Sequence, residues 1–594
     1  MGQPGGQQWR RRFGTPLIAR TQVAGACPGR GLVVTNRSGT FQLYAWEVDS
    51  GALRQLTERP AGTIHGVIEP SGGRVFFLDD PSGGERGHWT AVPWAGGAGT
   101  SLTPQLAPYR SSQLSFARVS GAAAFCGDGR WLWCAGTVTR FPYLVECPVL
   151  EDIGQVVVLA AATAHGYPDT LLAVAAGSGE VLARLADDGA LLQPVAFRHG
   201  RVLAATDRTG DVRPLLWRPA DGAVRRVDAG LPGDVVPLDW SPDGRRLLLL
   251  QTHRGIQRLH EYHLGTGRTR RTGDRSGSYG HSISFSADPG GYYHPRTGEV
   301  FALWQDGTHP PRLLTLGGPS GAVRRVVLPA GSPPRSHRWR SVTFTSADGT
   351  PVQGWLLTPR GNGPWPAVVH LRGGPHLVTT ESWLPAAQAW ADHGFAFLTI
   401  NYRGSTSFGR DFQEQIVGRQ GELEVTDAAA GRDWLVANGL ARPDQVALTG
   451  WSYGGYLTLL ALGRCPDLWA AGIAAVAVAD LQATYQQTTE QSRAFMRRML
   501  GGTPHECPHA YATASPLSYA AAVRVPILVI QGRHDPRCPP GQMQGYLSVM
   551  RDLGKAIDVE WIEHGHVGPR ASAEHAAQVQ DRQIQFIQSA LATP

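Results

Sequence analysis

At 594 residues and 63.8 kDa the chain is too long for one hydrophobic core, so at least two domains are expected. Apolar residues at 42%, charged residues at 17% and 18 Trp exclude a mainly disordered protein, and 74 Gly with 43 Pro suit many short strands joined by tight turns. The net charge of +7 rests almost wholly on scattered arginines, Lys555 being the only lysine, so no nucleic-acid surface is expected.

The N-terminal segment MGQPGGQQWRRRFGTPLIAR has no apolar core of signal-peptide length, Gly6 breaks the myristoylation pattern, and no stretch approaches 18 consecutive apolar residues. No leader and no membrane partner are expected. The seven cysteines are odd in number and form no C-x-x-C pair, which points to reduced thiols in a cytoplasmic protein and to no metal site.

Two patterns then recur through the first half. VDSGALRQL (Gly51), PADGAVRRV (Gly222), GTGRTRRT (Gly267) and GPSGAVRRV (Gly321) each read as strand, tight turn, strand. EPSGGRVFFL (Gly73), SPDGRRLLLL (Gly244) and HPRTGEVFAL (Gly298) each lead into an apolar run. Gly51 to Gly222 and Gly73 to Gly244 are both 171 residues, and Gly267 to Gly321 and Gly244 to Gly298 are both 54, so the patterns travel as one unit. Gly222 and Gly267 lie 45 apart, the length of a four-stranded propeller blade, and Gly51 to Gly321 spans six such intervals. An all-β propeller of about seven blades is expected over residues 1–330, with the first residues free to pack on the following domain. GSPPRS, at 331–336, breaks the pattern.

From 331 to 594 the periodicity changes. Short apolar runs (PAVVHL, FAFLTI, QVALTG, AGIAAVAVA, ILVIQG and DVEWIE) alternate with helical stretches at 424–438, 454–464 and 572–591. Strands alternating with helices predict a mainly parallel, covered sheet with active residues beyond the carboxyl ends of its strands. The run QVALT leads into Gly450-Trp451-Ser452-Tyr453-Gly454 and then into an apolar helix, the strand-turn-helix context that G-x-S-x-G requires of a nucleophile elbow, as in α/β-hydrolases. A Ser hydroxyl needs a His base and a carboxylate to orient it, and in this fold they follow in the order acid, then His. ILVIQG delivers Asp535 and DVEWIE delivers His564 and His566.

GWSYGGY, QGRHDPRCP, NYRGSTSFG (401–409) and RGGPH (372–376), behind a seven-bladed propeller, resemble the prolyl oligopeptidase family of serine peptidases, within it the acylaminoacyl-peptidase-like branch. The resemblance implies Ser452 as nucleophile, Asp535 as orienting acid and His566 as base, since the family's base follows a Gly. It implies Tyr453 and Gly374 as backbone donors to the oxyanion, with Arg372 where the family usually has His, and Arg537 as a ligand of a substrate carbonyl. Asp427 reads as a cap or buried ion pair, and Tyr485 and Asp480 as core or surface residues or as the lining of a pocket. Cys538 lies near the acid.

The implied activity is hydrolysis of short peptides through an acyl-enzyme, with no cofactor, a propeller that restricts access, and entry through its channel or by a hinge at 332–337. Homo-oligomers are compatible with this. The family's dipeptidyl peptidases hold the substrate amino group with a Glu-Glu pair, and this chain has none. That favours an acylaminoacyl-peptidase, an aminopeptidase or a short-peptide endopeptidase. A serine esterase or peptide acyltransferase would use the same triad, and a propeller scaffold with an inactive hydrolase domain is the rival outside enzymes.

Overall fold

In the computed structural model the described residues are 8–162, 168–187, 189–273, 276–280, 290–317, 322–566 and 572–592. The chain divides into two compact units, one from Pro16 to Ser332 and one joining the residues through Thr15 to Pro333–Pro594.

The first unit contains seven antiparallel sheets in chain order, at residues 18–55, 66–101, 114–140, 144–186, 192–226, 234–272 and 278–328. Six have four strands and the last has five. No single small sheet buries both faces alone, so each packs on its neighbours. Leu203 and Leu216 of the fifth meet Trp240 and Leu247 of the sixth, whose Leu248 and Leu259 meet Trp304 and Leu314 of the seventh. Phe301 and Leu313 of the seventh pack against Val33 and Trp46 of the first, and Ile18 N donates to Pro311 O at 3.0 Å, which closes the ring. This is a seven-bladed β-propeller, as the 45-residue period predicts.

The recurring glycines fall at two fixed places in the blades. Gly51, Gly222 and Gly267 turn the third strand into the fourth, with φ of 76°, 72° and 68°. Gly244 turns the first strand of its blade into the second and Gly298 turns Gly291–Tyr293 into Val300–Gln305, at 71° and 67°, but in the second blade the residue with positive φ is Gly72 rather than Gly73. The turn at Gly321 lies outside the described residues.

The second unit is built on one eight-stranded sheet: β1 Arg340–Thr345, β2 Pro351–Leu357, β3 Trp365–Leu371, β4 Ala396–Asn401, β5 Ala441–Trp451, β6 Ala471–Ala475, β7 Ile527–Gly532 and β8 Ile557–Ile562, in the order β1-β2-β4-β3-β5-β6-β7-β8. The first three strands of that order pair antiparallel and the rest run parallel. Because side chains alternate along a strand, Val446 and Leu448 of β5 enter one core with the helices Leu423–Ala437 and Tyr453–Arg464, while Ala447 enters the other with Pro385–Asp392 and Ala573–Ala592. Both faces are covered, which is why these strands read as continuous apolar runs.

Trp9, from the N-terminal helix Gln8–Phe13, joins the second of these cores. Arg12 from the same helix is buried, with Nε donating to Asp392 at 2.9 Å and Nη2 to Arg335 O at 2.9 Å. Among the described residues no helix is long and apolar enough to cross a membrane, and no disulfide forms.

Candidate active site

The elbow after β5 owes its shape to two glycines. A Cβ on Gly450 would lie 2.1 Å from Gly454 O, and a Cβ on Gly454 would lie 1.9 Å from Leu371 O, so neither position admits a side chain. Between them Ser452 has φ 57° and ψ −120°, a strained conformation for a residue with a Cβ. The surroundings hold it: Ser452 N donates to Ala475 O at the end of β6 at 2.8 Å, and Ser452 O accepts from Tyr456 N at 2.9 Å. The turn thus presents Ser452 at the junction of a strand end and a helix start.

Two further strand ends complete the group. Past β7, Asp535 is buried, its Oδ1 accepting from Arg537 N and Cys538 N at 2.9 Å each. Its Oδ2 is 2.8 Å from His566 Nδ1, and His566 Nε2 is 2.9 Å from Ser452 Oγ. With the Nδ1 proton directed to the carboxylate, Nε2 accepts the Ser452 hydroxyl proton, a relay suited to proton transfer. His564 is not part of it. Its ring packs against His575 at 4.8 Å, its carbonyl accepts from His534 N at 3.2 Å, and burial lowers its pKa.

Asp535, Cys538 and His566 are the described residues whose metal-ligating atoms converge, within 4.8 Å. Asp535 is already engaged with His566, and His566 with Ser452, so both ring nitrogens of His566 are taken up.

Tyr453 is the first residue of its helix, where backbone N–H groups lack partners within the helix. Gly374 lies in the turn after β3 with φ 143°. A Cβ on Gly373 would be 3.4 Å from Ser452 Cβ and 4.0 Å from its Oγ, so this turn runs beside Ser452. Arg537 is half-buried, its backbone tied to Asp535 through its N–H and to Thr488, whose hydroxyl donates to Arg537 O at 3.1 Å.

Asp427 is a buried ion pair, its Oδ1 2.7 Å from Arg403 Nη2 and accepting from Ser346 Oγ at 2.7 Å. Asp480 caps the helix Leu481–Gln487, and the Tyr485 hydroxyl accepts from Arg497 Nη1 at 2.9 Å.

Sequence reasoning passes over a polar group behind the elbow. Glu424, fully buried, accepts from Tyr453 Oη at 2.7 Å and from Gly421 N at 3.0 Å, and burial pushes its carboxyl up to about 7. Tyr453 stacks on Tyr402, whose hydroxyl donates to Arg372 O at 2.9 Å. The available signal was Glu424 and Asp427 three apart on one helix, which places two carboxyls on one face.

Residues 383–593 match the profile of the prolyl oligopeptidase family. Similar curated proteins include dipeptidyl aminopeptidase BIII of Pseudoxanthomonas mexicana, 29% identical over 241 residues, 38% of this chain and 35% of that protein. Another is acylamino-acid-releasing enzyme 1 of Oryza sativa subsp. japonica, 27% identical over 242 residues, 38% of this chain and 31% of that one. The matches thus span about a third of these relatives' length. Among solved structures, that of a puromycin hydrolase superposes with a TM-score of 0.83 at 20% identity, covering 100% of this chain and 97% of that one, a likeness of fold.

Proposed function

Because residues 383–593 belong to the prolyl oligopeptidase family, we propose that the chain is a serine peptidase working through an acyl-enzyme on Ser452. The observation that carries the reading is the unbroken relay Ser452 Oγ, His566 Nε2, His566 Nδ1, Asp535 Oδ2, at 2.9 and 2.8 Å. Ser452 Oγ attacks the scissile carbonyl while His566 Nε2 takes its proton, and Asp535 stabilises the imidazolium. The N–H groups of Tyr453 and Gly374 receive the oxyanion. His566 then gives the proton to the departing amine, and a water activated by the same His566 releases the acid.

The finer reading is an acylaminoacyl-peptidase or aminopeptidase acting on short peptides, with Arg537 holding a substrate carbonyl and the propeller limiting substrate size. The kinship with an acylamino-acid-releasing enzyme and the absence of a Glu-Glu pair support the substrate class. Ser452→Ala tests the core of the proposal: fluorophosphonate labelling vanishes and kcat falls by roughly 10⁴ to 10⁶. Labelling that persists at another serine overturns it. A peptide library with free, acetylated and internal sites, read by mass spectrometry beside simple esters, separates the substrate classes. Digestion of one sequence at increasing length tests the size limit, and efficient cleavage of a long denatured chain refutes it.

A further inference from the structure

Arg372 follows β3 directly and is half-buried, yet it forms no ion pair with a described carboxylate. Burial lowers its pKa, but a guanidinium keeps its charge in proteins. Withdrawing a cation even partly from water without a countercharge is costly, so its contacts call for an explanation. Its Nη1 donates to Gly373 O and to Pro375 O, both at 2.8 Å, and its Nη2 to Ser405 Oγ at 2.5 Å. The guanidinium also lies over the Tyr402 ring, Cζ 4.6 Å from the centroid.

The bond to Gly373 O is the informative one. Gly373 O and Gly374 N–H belong to a single trans peptide group, planar, with its carbonyl and N–H pointing in opposite directions. A donor that fixes the carbonyl therefore fixes the direction of the N–H. A positively charged donor also draws electron density from the amide, and hydrogen bonds in such a chain strengthen one another. The guanidinium sits close against Gly374, where a Cβ would lie 2.7 Å from Arg372 Nη1, and the φ of 143° there is one that favours glycine.

We propose that Arg372 is a positioning residue that aims and strengthens the Gly374 N–H as an oxyanion donor, through the carbonyl of the same peptide. The inference rests on the reading of Tyr453 and Gly374 as the oxyanion donors. Arg372 touches no reacting atom in this scheme. Its charge nevertheless acts in the transition state, because the polarised N–H meets full negative charge only there.

The test uses Arg372→Met, which removes charge and donor, and Arg372→Gln, which keeps a neutral donor. For each, kcat and KM are measured on a cleaved peptide, together with the inhibition constant of a peptide boronic acid, whose tetrahedral adduct on serine places an anionic oxygen where the oxyanion forms. The expected result for Arg372→Met is a kcat lower by about 10- to 100-fold, below the loss on deleting a donor outright, with KM little changed and boronate affinity weakened by a similar factor. Arg372→Gln falls between wild type and Met. A brace without this role changes thermal stability but leaves the ratio of boronate to substrate affinity untouched, and that result in a folded variant overturns the proposal. It also falls if both variants unfold, since Arg372 is then a brace of the core. A wild-type protein that neither turns over peptide nor takes up fluorophosphonate instead sinks the serine peptidase reading, which separates the two failures.

Discussion

The carboxyl of Glu424 offers a stability measurement that can be worked from the structure. It is fully buried, and the hydrogen bonds from Tyr453 Oη and Gly421 N offset only part of the desolvation, so its pKa rises to about 7 from the ordinary 4.5. Asp427 on the same helix adds repulsion, although Arg403 is paired with it. Tyr453 and Tyr456, facing Glu424 from the next helix, are themselves held neutral, their pKa values raised by burial first and by Glu424 second. A carboxyl whose pKa is raised on folding contributes stability fully present below its unfolded pKa and lost as pH climbs through the folded one. The window here runs from about 4.5 to just above about 7, and the loss across it is on the order of 3 kcal/mol at 1.36 kcal/mol per pKa unit. Glu424→Gln mimics the protonated acid, its amide donating to Tyr453 Oη and its carbonyl accepting from Gly421 N. Differential unfolding against pH measures the effect, other titrating groups cancelling in the difference. The variant and wild type should diverge as pH rises from 5 to 8, the variant ending more stable by about 3 kcal/mol, or about 6–10 °C in the transition of this unit. A difference independent of pH refutes the reasoning.

Three more outcomes follow from the same geometry. His566→Ala should match Ser452→Ala in lost turnover, while His564→Ala, which removes the ring packing against His575, keeps most of kcat; steady-state kinetics on one peptide decide, and the reverse ranking refutes the assignment of the base. Arg537→Lys should lower kcat/KM by about 1.5 to 3 kcal/mol, since an ammonium cannot reproduce the forked geometry toward a carbonyl, and an unchanged kcat/KM removes Arg537 from substrate binding. Gly454→Ala drives a Cβ to 1.9 Å from Leu371 O and 2.7 Å from Arg372 O, backbone that cannot swing aside, so a loss of about 3 kcal/mol or more and of activity is expected by denaturant unfolding, against no loss if the elbow were looser.

The propeller and the parallel sheet are legible because both are written in local periods. A 45-residue recurrence of turn glycines needs no knowledge of distant contacts, and apolar runs separated by helices specify a covered parallel sheet. The elbow is legible for a similar reason: Gly450 and Gly454 stand within five residues of each other, and their steric demand is met by the adjoining strand and helix. Long-range closure is not local. Tyr453 Oη meets Glu424 across 29 residues, and Arg372 Nη2 meets Ser405 across 33. Motif reading lights up RGGPH and GWSYGGY separately and does not reveal that Tyr402 joins them. The second-blade turn shows the limit at finer scale, since in Ser71-Gly72-Gly73 spacing alone does not say which glycine takes the left-handed conformation.

The placement of Glu424 and Arg372 around the two stacked tyrosines has an electrostatic consequence. Arg372 lies over Tyr402, Tyr402 stacks on Tyr453 at 6.5 Å, and Tyr453 donates to Glu424. If Glu424 were ionised and in direct contact with Arg372, the pair would neutralise itself and the cation would exert little field at the Gly373 carbonyl. Two aromatic rings keep them apart, and burial favours the protonated form of Glu424 below its raised pKa of about 7. The Arg372 charge therefore stays uncompensated by a described carboxylate, on the side of the turn that runs beside Ser452. The negative charge of Asp535, by contrast, is spent on His566 and on two backbone N–H groups. On the proposed mechanism, negative charge arising at a carbonyl bound to Ser452 meets a cation through one peptide group, while the carboxylate of Asp535 lies behind the proposed base. That separation of charges is what a site needs if it is to stabilise an oxyanion and an imidazolium in the same step.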